Sequence, residues 1–155
     1  MPSKPGIDPR GSRFSAGITA VLLLVVVGLG LSNLTVASTA LFAVIFAIFA
    51  WGAFAGVQRH PYGLLFKKVV RPRLAAPKEL EDPTPPTFAQ GVGFVITGLG
   101  LGLQLLGVPY AVVIAASAAF IAAFLNSVFS YCLGCQIYLL LVRAGILNRK
   151  GAAAA

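Results

Sequence analysis

Cys132-Leu133-Gly134-Cys135 is the one reactive constellation in the chain. Two thiols three residues apart on a helix share a face and close a disulfide with modest rearrangement, which Gly134 would ease. That spacing suits thiol–disulfide exchange or the carriage of sulfane sulfur, with one cysteine as nucleophile and the other resolving it. The competing use is packing, because buried cysteine also behaves as a small hydrophobe. Exchange requires thiolate, and an apolar setting disfavours the ionised form, so a cationic or dipolar neighbour is needed. Arg59 and His60 are the candidates, since they end an apolar run on the same side of the chain's layout. For His60 the alternative is an interfacial histidine that anchors a helix end before Pro61. Tyr131 and Tyr138 fit interfacial anchors better than proton donors.

Other chemistries find little support. Two cysteines and one histidine are too few for a zinc cage, which normally takes four N or S ligands, so no metal is expected. The phosphate-cradling G-x-x-x-x-G-K-[ST], the haem-attachment C-x-x-C-H and the zincin H-E-x-x-H are all missing from the sequence. No Asp, Glu, Lys or Arg interrupts the long apolar runs, which argues against a proton-coupled transporter or a pump. Gln104, Asn126 and Ser127 are the polar residues inside those runs, available to a quinone oxygen or, more commonly, to hydrogen bonds between helices. No cofactor is called for by a motif. A quinone is the one that the chemistry would admit.

The elements that position these residues follow from hydropathy. The chain of 155 residues is 58% hydrophobic and 10% charged, a composition that points to lipid as solvent. Residues 15–31, 37–57, 88–108 and 110–142 carry no charge. Each is long enough to cross about 30 Å of hydrocarbon at about 1.5 Å per residue, and the last projects beyond it. Ser32-Asn33 and Gly107-Val108-Pro109 read as tight turns. The expected fold is an all-α, polytopic integral membrane four-helix bundle made of two helical hairpins. Residues 15–57 form the first and 88–142 the second, with an N-terminal tail at 1–14, a basic, proline-rich loop at 58–87 and a C-terminal tail at 143–155.

All twelve basic residues lie before the first span, in the central loop or after the last span, and the four acidic residues share those segments. The positive-inside rule then makes both termini and the loop cytoplasmic. It also explains the net charge of +8 better than nucleic-acid binding does, and no nucleic-acid partner is expected. Ser38-Thr39-Ala40 loosely imitates a signal-peptide cleavage site, but the first run reads as a retained span. The cysteines fall near the cytoplasmic headgroups, facing a reducing compartment, which predicts free thiols at rest. The Pro-Ser-Lys-Pro-Gly start and Asp82-Pro83-Thr84-Pro85-Pro86 read as extended, and residues 62–70 as a short interfacial helix. Gly151 and the alanines after it carry little information.

Small residues predict close packing. Gly52/Gly56 and Gly98/Gly102 make G-x-x-x-G pairs, and Ala111, Ala115, Ala119 and Ala123 recur every four residues. A sparse internal repeat carries Phe14, Gly17, Gly28 and Phe46 onto Phe88, Gly91, Gly102 and Phe120, and the same offset carries His60 onto Gly134. If it reflects duplication, the halves are related by an axis along the membrane normal.

Arg59-His60-Pro61-Tyr62-Gly63, Arg71-Pro72-Arg73-Leu74, Glu79-Leu80-Glu81-Asp82-Pro83 and Tyr131-Cys132-Leu133-Gly134-Cys135 together resemble an uncharacterised family of small bacterial four-helix membrane proteins, over nearly the whole chain. The resemblance implies a bacterial plasma-membrane location and association with thioredoxin-like or sulfurtransferase-like proteins. The leading expectation is a membrane-embedded dithiol protein that exchanges electrons or sulfane sulfur with such a cytoplasmic partner. A non-catalytic accessory subunit of a larger, respiratory-type membrane complex, with the basic loop on a partner or anionic lipid, is the alternative. A small-solute transporter is third.

Overall fold

The computed structural model describes residues 6–147. Lys4 and the rest of the proline-rich start, and Arg149, Lys150 and the terminal alanines, lie outside the described residues. The protein is all-helical, and four of its helices are long and apolar enough to cross a membrane: α1 (Pro9–Leu31), α2 (Thr35–Ala55), α4 (Thr84–Leu105) and α5 (Ala111–Phe129). Two shorter helices, α3 (Pro61–Leu65) and α6 (Leu133–Arg143), each follow the second long helix of a half.

Helix boundaries depart from hydropathy wherever capping chemistry decides them. α1 begins at Pro9, ahead of the uncharged run at 15, because Asp8 caps it. The Asp8 Oδ1 accepts from the Arg10 N–H at 3.0 Å, and Pro9 sits at the first helical position, where its missing N–H costs nothing. The Asp82–Pro86 segment is likewise not extended throughout. Asp82 Oδ1 accepts from the Thr84 N–H at 2.8 Å, and α4 starts at Thr84 with Pro85 and Pro86 in its first turn. The continuous helix implied by the uncharged run 110–142 is broken. α5 stops at Phe129, Ser130 turns into the left-handed region at φ 56°, and the Tyr131 N–H returns to the Leu125 carbonyl at 3.1 Å, closing the helix end. The short helix expected over 62–70 is present as α3, which runs on into a wider turn over Phe66–Val70 and a tight one over Arg71–Arg73. It buries Phe66 against Gly11 and the Phe14 ring and exposes Lys67 and Lys68.

The long helices pack in a ring, α1 on α2 and α5, and α4 on α2 and α5. Their shared core is Leu23, Val26, Phe42, Ile45, Val112, Ala116 and Ala119. The outward faces stay apolar: Leu24, Phe54, Leu99 and Ile114 are each more than half exposed. Such a surface is a liability in water and ordinary in hydrocarbon. Hydroxyls inside the ring are satisfied locally. Thr19, Thr97 and Ser117 donate one turn back to Ser15, Gly93 and Val113, and the buried Ser38 Oγ donates across to the Val26 carbonyl at 2.9 Å.

The internal repeat is visible in the backbone. The offset that carries Phe14 onto Phe88 superposes α1 on α4, α2 on α5 and α3 on the body of α6. It carries the Asp8 cap onto Asp82, and it carries Asn33 onto Gly107 and Gly56 onto Ser130, all four with positive φ. The turn bonds Ser32→Gly28, Asn33→Gly30 and Leu34→Leu29 recur as Leu106→Gly102, Gly107→Gln104 and Val108→Leu103. Ile7 and Glu81, themselves equivalent, pair with each other in an antiparallel bridge of two 2.9 Å bonds. A bridge between equivalent residues lies on the pseudo-two-fold axis that exchanges the halves.

Close approach falls on only part of the two G-x-x-x-G pairs. A Cβ at Gly52 would crowd Gln90 and His60, and one at Gly98 would lie 3.1 Å from the Phe46 ring, but Gly102 faces open space and Gly56 ends α2 at φ 86°. Tighter contacts occur at Gly93 on Phe49 and at Gly100 on Ala115 and Phe42. Gly100→Val should therefore overpack the α4–α5 contact and destabilise the protein by about 1–3 kcal/mol in detergent melts, whereas Gly102→Val should stay within about 0.5 kcal/mol. Equal effects at the two positions would contradict this packing.

Candidate functional site

The paired cysteines owe their positions to the break after α5. Ser130 and Tyr131 leave the helix, Cys132 is extended at φ −87° and ψ 102° as the N-cap of α6, and Cys135 lies in the first turn. Their Cα atoms are 5.2 Å apart, inside the range a disulfide spans, and the structure joins Cys132 to Cys135. The pair is thus a closed disulfide here and not the free thiols predicted from a reducing compartment. It is also not a shared face of one continuous helix. Cys132 Sγ accepts a hydrogen bond from the Cys135 N–H at 3.2 Å, so the sulfur takes the place of the usual oxygen at a helix start. Gly134 has a different part from the one anticipated. A Cβ there would lie 2.6 Å from the Ala89 Cα, so the glycine lets α6 lean on α4.

Both cysteines are half-buried and line a cavity of about 1090 Å³. The cavity is enclosed by α1, α4, α5 and α6, with α3 at its rim. Its mouth carries charge of both signs: Asp8, Glu81 and Asp82 against Arg10, Arg13, Lys67 and Arg71. These groups also hold the mouth together. Arg10 Nη2 bonds Asp8 Oδ2 at 2.8 Å and the Ala75 carbonyl at 2.9 Å, and Arg71 approaches the same carboxylate at 3.6 Å. The Arg10 hydrogen bonds hold the Asp8 carboxyl below the usual carboxylate range. Arg13 donates twice to the Ser127 carbonyl, at 3.2 Å each, placing a cation on the open carbonyl end of α5.

His60 lines the same cavity from the other half. It is 4% exposed, its Nδ1 accepts from the Tyr62 N–H at 3.3 Å, and its ring meets Tyr62 edge-on. It is therefore the N-cap of α3, as Cys132 is of α6. Burial pushes its pKa down to about 4, which leaves the imidazole neutral near pH 7 with its proton on Nε2. Arg59 is exposed and outside the cavity lining, and its carbonyl accepts from Trp51 Nε1 at 3.0 Å. His60 is thus neutral where it lines the cavity, Arg59 lies outside the lining, and among the described residues no hydrogen bond joins either side chain to the sulfurs. The α6 N-terminus is the dipolar neighbour instead.

Of the three polar residues within the long apolar runs, Gln104 is structural, its Oε1 accepting from the Val112 N–H at the start of α5 at 3.3 Å. Asn126 lines the cavity. Ser127 contributes its carbonyl to Arg13. Gln90, unremarkable in the sequence, also lines the cavity beside His60, and its Oε1 is buried without a hydrogen-bond partner. The repeat offset was the one sequence signal pointing toward such a shared chamber. Among the described residues no group of three or more metal-ligating side chains is gathered.

Fold and site define a small all-helical protein with four membrane-length apolar helices around a chamber that a disulfide opens onto. The chain belongs to the family described as Domain of unknown function (DUF4395), whose model matches residues 7–143. No curated protein and no solved structure matches it.

The buried neutral His60 makes stability depend on pH. Its folded pKa of about 4 lies below the ordinary 6.5, so its contribution is fully present above pH 6.5 and lost as pH falls from 6.5 toward 4. Wild type should lose on the order of 2 kcal/mol more than His60→Asn over that window, asparagine keeping a capping acceptor without the titration. Parallel pH profiles for the two proteins in detergent unfolding would show that His60 is not buried as described.

Proposed function

We propose that the chain is a membrane-embedded dithiol protein of the bacterial plasma membrane that exchanges electrons or sulfane sulfur with a thioredoxin-like or sulfurtransferase-like partner in the cytoplasm. In this reading the two halves insert as hairpins of one bundle, with both termini and the central loop cytoplasmic, which the one-sided placement of basic residues supports. The observation that carries it is the disulfide at the N-terminus of α6, half-exposed on an open chamber instead of packed between helices.

The α6 N-terminus supports a division of roles between the two sulfurs. When the pair is reduced, the Cys132 thiolate receives the Cys135 N–H and the positive end of the α6 dipole, so Cys132 is the nucleophile. It attacks one sulfur of a partner disulfide and expels the other as thiolate. Cys135 then attacks Cys132 in the mixed disulfide, closes the Cys132–Cys135 bond and releases the reduced partner. With a persulfide on Cys132, the same closure releases hydrosulfide. The accessory-subunit reading draws on the exposed apolar faces and the exposed Lys67 and Lys68, and gives the chamber and its disulfide no part.

After reduction, Cys132 should react with a soluble disulfide reagent at pH 7 roughly tenfold faster than an unperturbed thiol, and Cys135 more slowly. Cys135→Ser should trap a thioredoxin-like or sulfurtransferase-like protein as a mixed disulfide in cell extracts, and Cys132→Ser should not. Two unreactive thiols in the folded protein would eliminate exchange and leave the accessory reading standing. Reporters fused before Pro9 and after Arg143 should both report the cytoplasm, and an external signal from either would overturn the topology.

A further inference from the structure

The level at which α3 is pinned decides what its outer side meets. Phe66, the buried anchor just past α3, lies 3.1 Å from where a Cβ on Gly11 would stand, and its ring is 5.7 Å from that of Phe14. Both partners are on α1 immediately ahead of Ser15, where the uncharged run begins, with Gly11 about 6 Å before it along the axis. In a bilayer that spans the uncharged run, a segment held there lies among the headgroups.

The two sides of this segment differ. Gly63, Phe66, Lys67 and Arg71 line the chamber. Leu64, Leu65, Lys68, Val69 and Arg73 do not, and all five are exposed, the three aliphatic ones at 44%, 46% and 43% for Leu64, Leu65 and Val69. A face that mixes aliphatic groups with cations is what a helix in the membrane interface presents. The aliphatic groups enter the edge of the acyl region, and the long basic side chains reach out to phosphate.

The protein does not neutralise the cations on that face. Arg71 is turned to Asp8, which also holds Arg10, whereas among the described residues no hydrogen bond or ion pair engages the Lys68 or Arg73 side chain. Glu81 and Asp82 line the chamber, which neither cation does, and no ion pair joins Glu79 to either. An acidic soluble protein would match the charge but not three aliphatic side chains at headgroup level. An anionic lipid matches both.

Resting on the membrane reading above and independent of the dithiol chemistry, we infer that Leu64, Leu65 and Val69 with Lys68 and Arg73 form a docking surface for anionic phospholipid of the cytoplasmic leaflet. Lys68 and Arg73 donate to the lipid phosphates, and the aliphatic side chains pack on the first carbons of the acyl chains. The opposite side of the same segment is the rim of the chamber, so lipid bound here braces that rim from outside.

The test uses the full chain with Trp51→Phe and Val69→Trp, which leaves one tryptophan, on the docking face. It is reconstituted into vesicles of phosphatidylcholine and phosphatidylglycerol in which one lipid or the other carries bromine on its acyl chains. Bromine quenches tryptophan on contact, so the two quenching curves give the lipid preference of this face. Each cation near an anionic surface is worth about a fivefold preference, so phosphatidylglycerol should be favoured roughly tenfold or more at low salt. Adding Lys68→Gln and Arg73→Gln should lower that preference about fivefold or more while the tryptophan stays quenched, and about 0.5 M salt should lower it in the unneutralised chain. Equal quenching by the two brominated lipids would overturn the inference and make the face a bilayer contact without headgroup selection. No quenching by either would overturn it and assign the face to water or to a protein partner. If alkaline carbonate strips the wild-type chain from the vesicles, the membrane reading falls, and this inference with it.

Discussion

Backbone hydrogen bonds that cannot be left open along four apolar helices of membrane length set the form of this protein. Within a long apolar helix every N–H and C=O is paired, but four of each are left over at the ends. The ends are therefore where the few polar side chains are spent: Asp8 on α1, Asp82 on α4, Gln104 on α5, Arg13 on the carbonyl end of α5. Cys132 and His60 belong to the same series, capping α6 and α3. The residues with chemical potential are the residues that finish helices. A sulfur drafted as a cap is also a sulfur at the positive end of a dipole, which is the environment a nucleophilic thiolate needs.

The second organising fact is the pseudo-two-fold relation of the halves. Each contributes two long helices, a break with positive φ and a short helix that leans back on its own first helix, α3 on α1 and α6 on α4. Two such units meeting about an axis leave a space between them wherever the facing side chains are small. The lower half of that space is filled by Leu23, Val26 and Phe42, and the upper half is not, because the corresponding stretches supply Ala16, Ala119, Ala122 and Ala123. The Ile7–Glu81 bridge ties the halves together across the mouth.

Much of this was legible in the sequence. The four membrane-length runs, the two tight turns, the short helix after Pro61 and the repeat offset follow from hydropathy and residue type. The missed boundaries share one cause. Hydropathy averages over windows and does not register a cap, so Asp8-Pro9 and Asp82-Pro83, which signal a helix start by their own chemistry, were overridden by the charges and prolines beside them. The break after Phe129 was harder, because Ser130 is not a usual left-handed residue. Its clue lay in the other half, where the repeat places Gly56. Gln90 was not legible at all: its importance comes from Gly52 and His60, brought to it by packing of α2 on α4.

The departures from symmetry then carry the functional argument. Equivalent corners of one scaffold hold different chemistry, a neutral histidine on one side and a disulfide on the other, and the offset sets His60 against Gly134. A second disulfide would have required cysteines near Gln58 and Pro61, and the chain has none to give. With His60 kept neutral by burial, that corner offers a hydrogen-bond donor to the chamber without adding a charge to it. One half thus holds the paired sulfurs and the other a neutral imidazole, on the lining of one shared space. A duplicated unit that kept both corners alike would have had the chamber but no direction in it. The divergence at these few positions is what gives a space between equivalent halves two chemically different ends.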